Sequence, residues 1–284
     1  MCARNVEEPR RKFRPGWVRG SVGSGDRASG QLGSGLEFAD FRDYQLGDDA
    51  RRLDWSVYAR RGELVVRDYE TPRQLEVTVL MDLSESMRFG GKAEYAKVIA
   101  EIVAFTALNT GDAVSLAAHD ADVVWRGPGV SSLAGLPNIR SWLDEAIASE
   151  SPSGGNVIEI GRLLYNRSLV FWLSDFMFDD VESVTAEWRS RGAECVLMHV
   201  LSQDEIEPES LGRGRHLLNS LEATDHLNVD LDRPALEAYR LEMAKWITSL
   251  GTLASRNDGW YFRLGVDDDP DSVVRAWSTA GLLS

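Results

Sequence analysis

Apolar runs of seven or eight residues recur along the chain at Leu75–Met81, Ser168–Ser174 and Glu194–Leu201. They are short, rich in Val and Leu, with Phe171 and Trp172 in the second, and nearly continuous, the pattern of strands buried on both faces. Shorter runs at Ala113–Ala118, Asp122–Trp125 and Trp260–Leu264 predict further strands, as does Gly62–Tyr69 after its glycine turn. Between them the period changes. Tyr95, Ile99, Ile102, Phe105 and Leu108 recur at helical spacing, with Gly111 placed to stop the helix. Helices are also predicted over Leu133–Ile147, about Asn156–Tyr165, Asp180–Arg191 and Ser272–Leu283, and a long one from Pro234 to about Arg256 with proline in its first turn. Leu217–Leu231 reads as extended chain with polar turns.

Apolar strands alternating with helices imply parallel pairing, with helices on both faces of one sheet. The expected fold is a doubly wound, mainly parallel α/β sheet flanked by helices, Rossmann-type, over residues 72–284, with an N-terminal extension over residues 1–71. Ligands of such sheets gather where loops leave the carboxyl ends of the strands. Asp82 and Asp175 each follow a predicted strand at that end.

Charge narrows the functional classes. Against 31 basic residues stand 45 acidic ones, a net charge of −14, and such a surface repels phosphate backbones. No nucleic-acid role is expected. Only the first twenty residues run basic (Arg4, Arg10, Arg11, Lys12, Arg14, Arg19), and they read as a solvated arm. The glycine- and serine-rich stretch from Gly16 to Gly35 lacks the strand, the Gly-Lys-Ser/Thr close and the following helix of a phosphate loop, so it reads as a connector. Two cysteines make no disulfide framework, and Cys195 sits in an apolar run as a small buried hydrophobe. The first residues carry no apolar signal core, and no apolar stretch approaches the roughly 20 residues of a membrane span. A cytoplasmic protein is expected.

The chemistry-bearing stretch is Asp82-Leu83-Ser84-Glu85-Ser86. Alternate residues leaving a strand end can point to one side, bringing a carboxylate and two hydroxyls together. That hard-oxygen set suits Mg²⁺ or Mn²⁺ and not zinc, and Asp175 can join it through water. A position left open on the ion would accept an acidic side chain from a partner. The plainer alternative has the hydroxyls capping the following turn and the carboxylates solvated. An Asp-x-Asp phosphotransferase is disfavoured by Ser84, and the scattered His119, His199, His216 and His226 give no nucleophile elbow. Histidines that end apolar strands, as His119 and His199 do, read as structural.

The run Gly35-Leu36-Glu37-Phe38-Ala39-Asp40-Phe41-Arg42-Asp43-Tyr44-Gln45-Leu46-Gly47-Asp48-Asp49-Ala50-Arg51-Arg52-Leu53-Asp54-Trp55 resembles the signature of the domain of unknown function 58 family. Ala59–Leu64, Asp82–Met87 and Ser174-Asp175-Phe176 fit it too, and the likeness extends from about Trp17 to the C-terminal strand and helix. The resemblance implies a von Willebrand factor A-like domain with a metal-ion-dependent adhesion site, and a partnership with a MoxR-type AAA+ ATPase in chaperone-like assembly or maturation. It implies no catalytic activity. Such sites take a threonine from a Gly-Gly-Thr-like loop, and the matching stretch here is Ser153-Gly154-Gly155-Asn156, which offers an amide oxygen in place of the hydroxyl.

These readings converge on a non-enzymatic interaction module. Asp82, Ser84 and Ser86 hold Mg²⁺ (or Mn²⁺), Asn156 and Asp175 complete or orient the shell, and the partner is the ATPase or a client offering an acidic side chain. Asp48, Asp49, Arg51, Asp54 and Trp55 are candidates for a second docking surface, or for a set of ion pairs that pins the extension. Two alternatives stay open: a metal-dependent phosphoester hydrolase, and a scaffold with an empty metal site.

Overall fold

A computed structural model of the chain describes residues 11–16, 37–44, 53–70, 74–120, 123–148, 168–178, 180–212, 214–219 and 226–284. Two compact units divide it: residues 24–74, and residues 75–284 together with 1–23.

In the smaller unit, β1 (Glu37–Asp43) pairs antiparallel with β2 (Val65–Glu70), and α1 (Trp55–Arg61) lies between them in sequence. Asp54 explains where α1 starts. Its carboxylate accepts the backbone N–H of Ser56 at 2.9 Å and of Val57 at 3.2 Å, satisfying donors the helix leaves open. Gly62, with φ of 73°, ends the helix in the left-handed conformation.

The larger unit is built on a six-stranded sheet in the order β10-β7-β6-β3-β4-β5. Its strands are β3 (Glu76–Asp82), β4 (Ala113–Asp120), β5 (Val123–Val130), β6 (Ser168–Ser174), β7 (Glu194–Leu201) and β10 (Trp260–Gly265). Every pairing is parallel except β4 with β5. The sheet is thus mainly parallel, as expected, with one antiparallel edge. Only residues 121 and 122 separate β4 from β5, far too few for a parallel crossover.

Side chains alternate across the sheet with the period of two that strands impose. Val77, Val79, Met81, Leu169, Phe171 and Leu173 join one core, under α2 (Lys92–Asn109), α3 (Leu136–Ala148) and α7 (Pro270–Thr279). Leu80, Val170, Trp172 and Leu197 join the other, under α4 (Val181–Ser190) and α6 (Arg233–Arg256). Helices on both faces make the fold doubly wound, as expected. The extended stretch before α6 is a separate hairpin, β8 (Arg215–Asn219) with β9 (His226–Asp230).

Two local expectations change. The buried stripe of α2 is written mainly in alanines (Ala93, Ala96, Ala100, Ala104, Ala107) with Ile99 and Val103, while Phe105 faces outward. Small side chains let the helix lie close on the sheet; of the expected stripe, Tyr95, Ile99 and Leu108 are buried and Ile102 packs against the core, so Phe105 is the position that departs. The N-terminal stretch is also no solvated arm over residues 11–16. Phe13 is buried, its ring 4.9 Å from Phe171 and 5.9 Å from Trp277. Backbone bonds Arg14 N–H to Leu282 O and Ser284 N–H to Lys12 O fasten it to the C-terminus. The predicted helix near Asn156–Tyr165 lies outside the described residues.

Candidate functional site

The chain order creates one switch point in the sheet. From β3 it winds outward through β4 and β5, then returns to β6 on the other side of β3 and winds outward through β7 and β10. Met81 stands opposite Leu173, so Asp82 and Ser174 end adjacent strands side by side, with Asp175 the next residue. A crevice of this kind, outside the carboxyl ends of two diverging strands, is where such sheets bind ligands.

Asp82 and Asp175 are each 1% exposed. Burial of a carboxylate is costly without partners, and each has them. Asp82 accepts the Ser84 N–H on Oδ1 at 2.9 Å and the Ser174 hydroxyl on Oδ2 at 2.5 Å. Ser174 Oγ in turn accepts the N–H of Phe176 at 2.8 Å. The turn after β6 is strained at that residue: Phe176 has a φ of 55°, unfavourable for a side chain with a Cβ. Its ring is buried against Trp172 and His199, which holds it there.

Ser84 precedes a 3-10 segment over Glu85–Gly91, yet its side chain makes no capping bond. Its hydroxyl lies 3.1 Å from that of Ser86. The plainer alternative of capping hydroxyls and solvated carboxylates is therefore not what the geometry has. Asp82, Ser84 and Ser86 are brought together, the two hydroxyls partly exposed beside a buried carboxylate. Asn156 lies outside the described residues.

Asp175 has a different companion. Lys92, the first residue of α2, places Nζ 2.8 Å from Asp175 Oδ2 and 2.8 Å from Glu205 Oε1. Asp175 Oδ1 accepts the Met177 N–H at 3.2 Å. Lys92 is 1% exposed; burial pulls its pKa down, but Asp175 and Glu205 outweigh that and hold it above the ordinary value. Glu205 is fixed by the loop after β7. Its Oε2 accepts the Ser202 N–H at 2.7 Å and the Ser202 hydroxyl at 2.9 Å, the capping box of α5 (Gln203–Ile206). Lys92, Glu205 and Ser174 were not picked out by sequence reasoning. Ser202-x-x-Glu205 carries a recognisable capping signature, but nothing local marks Lys92 as buried.

The donor chemistry on the Asp82 side fits a hard divalent cation: one carboxylate and two neighbouring hydroxyls. The Asp175 side does not, because an ammonium already holds one oxygen and a backbone N–H the other. Among the described residues, no group of three or more His, Cys, Asp or Glu side chains is arranged to hold a metal. His119 and His199 sit at the ends of β4 and β7, both buried. His119 Nε2 accepts from Trp172 Nε1 at 2.9 Å, and His199 Nδ1 lies 2.7 Å from the Tyr261 hydroxyl. Burial lowers the pKa of both, that of His199 to about 4. Cys195 is buried, and its thiol is pushed up by desolvation.

Of the second candidate surface, Asp48, Asp49 and Arg51 lie outside the described residues. Asp54 is buried and caps α1, while Trp55 is exposed, edge-on to Tyr58.

An α/β domain with paired carboxylates at its switch point is the class the fold and site define. The chain belongs to the family described as "Protein of unknown function DUF58", whose model matches residues 40–246. Uncharacterised proteins of Mycobacterium bovis (Mb1516) and Mycobacterium tuberculosis (Rv1480) are 41% identical to it over 83 residues. Those matches span 28% of this chain and 26% of each relative's length. Among solved structures, a conserved hypothetical protein BatB of Bacteroides thetaiotaomicron is similar at 13% identity and a TM-score of 0.44, over 73% of this chain and 98% of that one. The pilus adhesin SpaC of Lactobacillus rhamnosus GG, in its open conformation, aligns at 10% identity and a TM-score of 0.44, over 74% of this chain and 30% of that one. Likenesses this distant carry no argument about function.

Among the described residues, no helix is long and apolar enough to cross a membrane.

Proposed function

We propose that this chain is a non-catalytic interaction module in which Asp82, Ser84 and Ser86 hold a Mg²⁺ ion that engages an acidic side chain of a partner protein. The reading is carried by the Ser84 and Ser86 hydroxyls, 3.1 Å apart beside the buried Asp82 carboxylate, with Ser84 making no side-chain capping bond. Their place at the switch point supports it, since loops there are positioned by the sheet and open to ligands. When bound, the ion supplies a coordination position for the partner's carboxylate oxygen. The chain's own part is to fix the oxygens: Ser174 and the Ser84 N–H hold the Asp82 carboxylate in one orientation. By family resemblance the partner is a MoxR-type AAA+ ATPase or its client, in a cytoplasmic setting.

The test is binding of a MoxR-type AAA+ ATPase from the same organism, measured with purified components in magnesium and in EDTA. Magnesium is expected to tighten binding, and Asp82→Ala to weaken it while the domain stays folded. Binding indifferent to both sinks the cation reading.

A second reading has one observation in its favour. With Asp175 taken by Lys92, the crevice can be a structural ion-pair site, and docking then rests on the Asp48–Trp55 segment. EDTA-insensitive binding that is lost with Trp55→Ala is its signature.

A further inference from the structure

We propose that Lys92 sets the cation affinity of the switch-point site: its ammonium holds Asp175 as an internal ion pair, so a divalent ion competes with Lys92 for the second carboxylate. This rests on the reading of Asp82, Ser84 and Ser86 as the cation's ligands.

The geometry around Lys92 is that of a built site. A side chain with 1% exposure reaches two carboxylates from different loops, each at 2.8 Å. An ammonium buried so completely needs both, because desolvating one charge costs several kcal/mol unless partners compensate it. Neither partner is loosely held. Asp175 lies between Ser174 and the left-handed Phe176, whose N–H is bonded to the Ser174 hydroxyl, and Glu205 is locked into the capping box with Ser202. The backbone leading into Lys92 is held as closely. Gly90 has a φ of 62°, and a Cβ added there would stand 2.5 Å from Ser202 Cβ. Gly90 thus lets the loop after β3 press against the loop after β7, which brings Lys92 between the two acids.

The consequence for a cation is electrostatic. Asp175 Oδ2 faces an ammonium, and the positive charge of Lys92 opposes a second cation in the same crevice. Replacing Lys92 with an apolar side chain of similar length returns Asp175 to the site. At the effective dielectric of a partly buried site, a unit charge within several ångströms of a dication is worth about tenfold or more in its affinity.

The experiment is calorimetric titration of Mn²⁺ and of Mg²⁺ into the wild-type chain, Lys92→Met, and Lys92→Met with Asp175→Asn, with folding checked by circular dichroism. Lys92→Met is expected to tighten Mn²⁺ binding by about tenfold or more, and the added Asp175→Asn to remove that gain. Affinity in folded Lys92→Met equal to or below wild type overturns the proposal, as does a gain that survives Asp175→Asn. If Lys92→Met does not fold because the buried Asp175 and the partly buried Glu205 are left without their shared cation, Lys92→Met with Glu205→Gln removes one of the carboxylates and is judged by the same criteria. The two claims separate cleanly. Wild type that binds Mn²⁺ with no gain in the variants sinks the role of Lys92 and leaves the cation reading standing. Wild type that does not bind while Lys92→Met does sinks the native cation and upholds Lys92 as the group that excludes it. Absence of binding in every variant sinks both.

Discussion

The Ser174 hydroxyl donates to Asp82 Oδ2 at 2.5 Å while accepting the N–H of Phe176 at 2.8 Å, so one side chain ties the end of β3 to the strained turn after β6. Both halves of the candidate site depend on it. On one side it orients the carboxylate beside Ser84 and Ser86; on the other it satisfies the buried N–H of a residue held at a φ of 55°.

Ser174→Ala removes both bonds at once and leaves a buried N–H unsatisfied. It is expected to lower the stability of the larger unit by about 1–3 kcal/mol, read as a shift in urea midpoint with an unchanged slope. A loss under about 0.5 kcal/mol contradicts the assigned role.

Acid should destabilise the protein through its buried histidines. Burial pulls the folded-state pKa of His199 down to about 4 and that of His119 below its ordinary value, while both return to roughly 6.5 on unfolding. The unfolded chain then binds protons the native state refuses. Above about pH 6.5 the two rings cost nothing; as pH falls from there towards about 4, His199 removes up to about 1.4 kcal/mol per pH unit, and His119 acts in the same direction. Urea midpoints across that window should fall, and His199→Gln should flatten the decline. A decline as steep in His199→Gln as in wild type contradicts the assignment.

How much of this was written locally in the chain differs by element. β3, β6 and β7 are buried on both faces, so their sequences are continuous apolar runs that announce themselves. The direction of β5 was not legible from the apolar pattern, which does not carry strand direction; the short connection from β4 imposes the antiparallel pairing. Phe13 was not legible: one aromatic in a basic stretch has no period, and its burial depends on Phe171 and Trp277, far along the chain. The site divides the same way. Asp82, Ser84, Ser86 and Asp175 are marked by their place at strand ends. Lys92 opens a helix as many solvated lysines do, and only the meeting of three loops buries it between Asp175 and Glu205.

The central claim is that Asp82, Ser84 and Ser86 bind a divalent cation. Titration calorimetry of Mg²⁺ into the wild-type chain and into Asp82→Asn, with folding checked by circular dichroism, tests it most directly. The account predicts saturable single-site binding in the wild type that disappears in folded Asp82→Asn. No heat of binding in the wild type, or the same isotherm in both proteins, would contradict it.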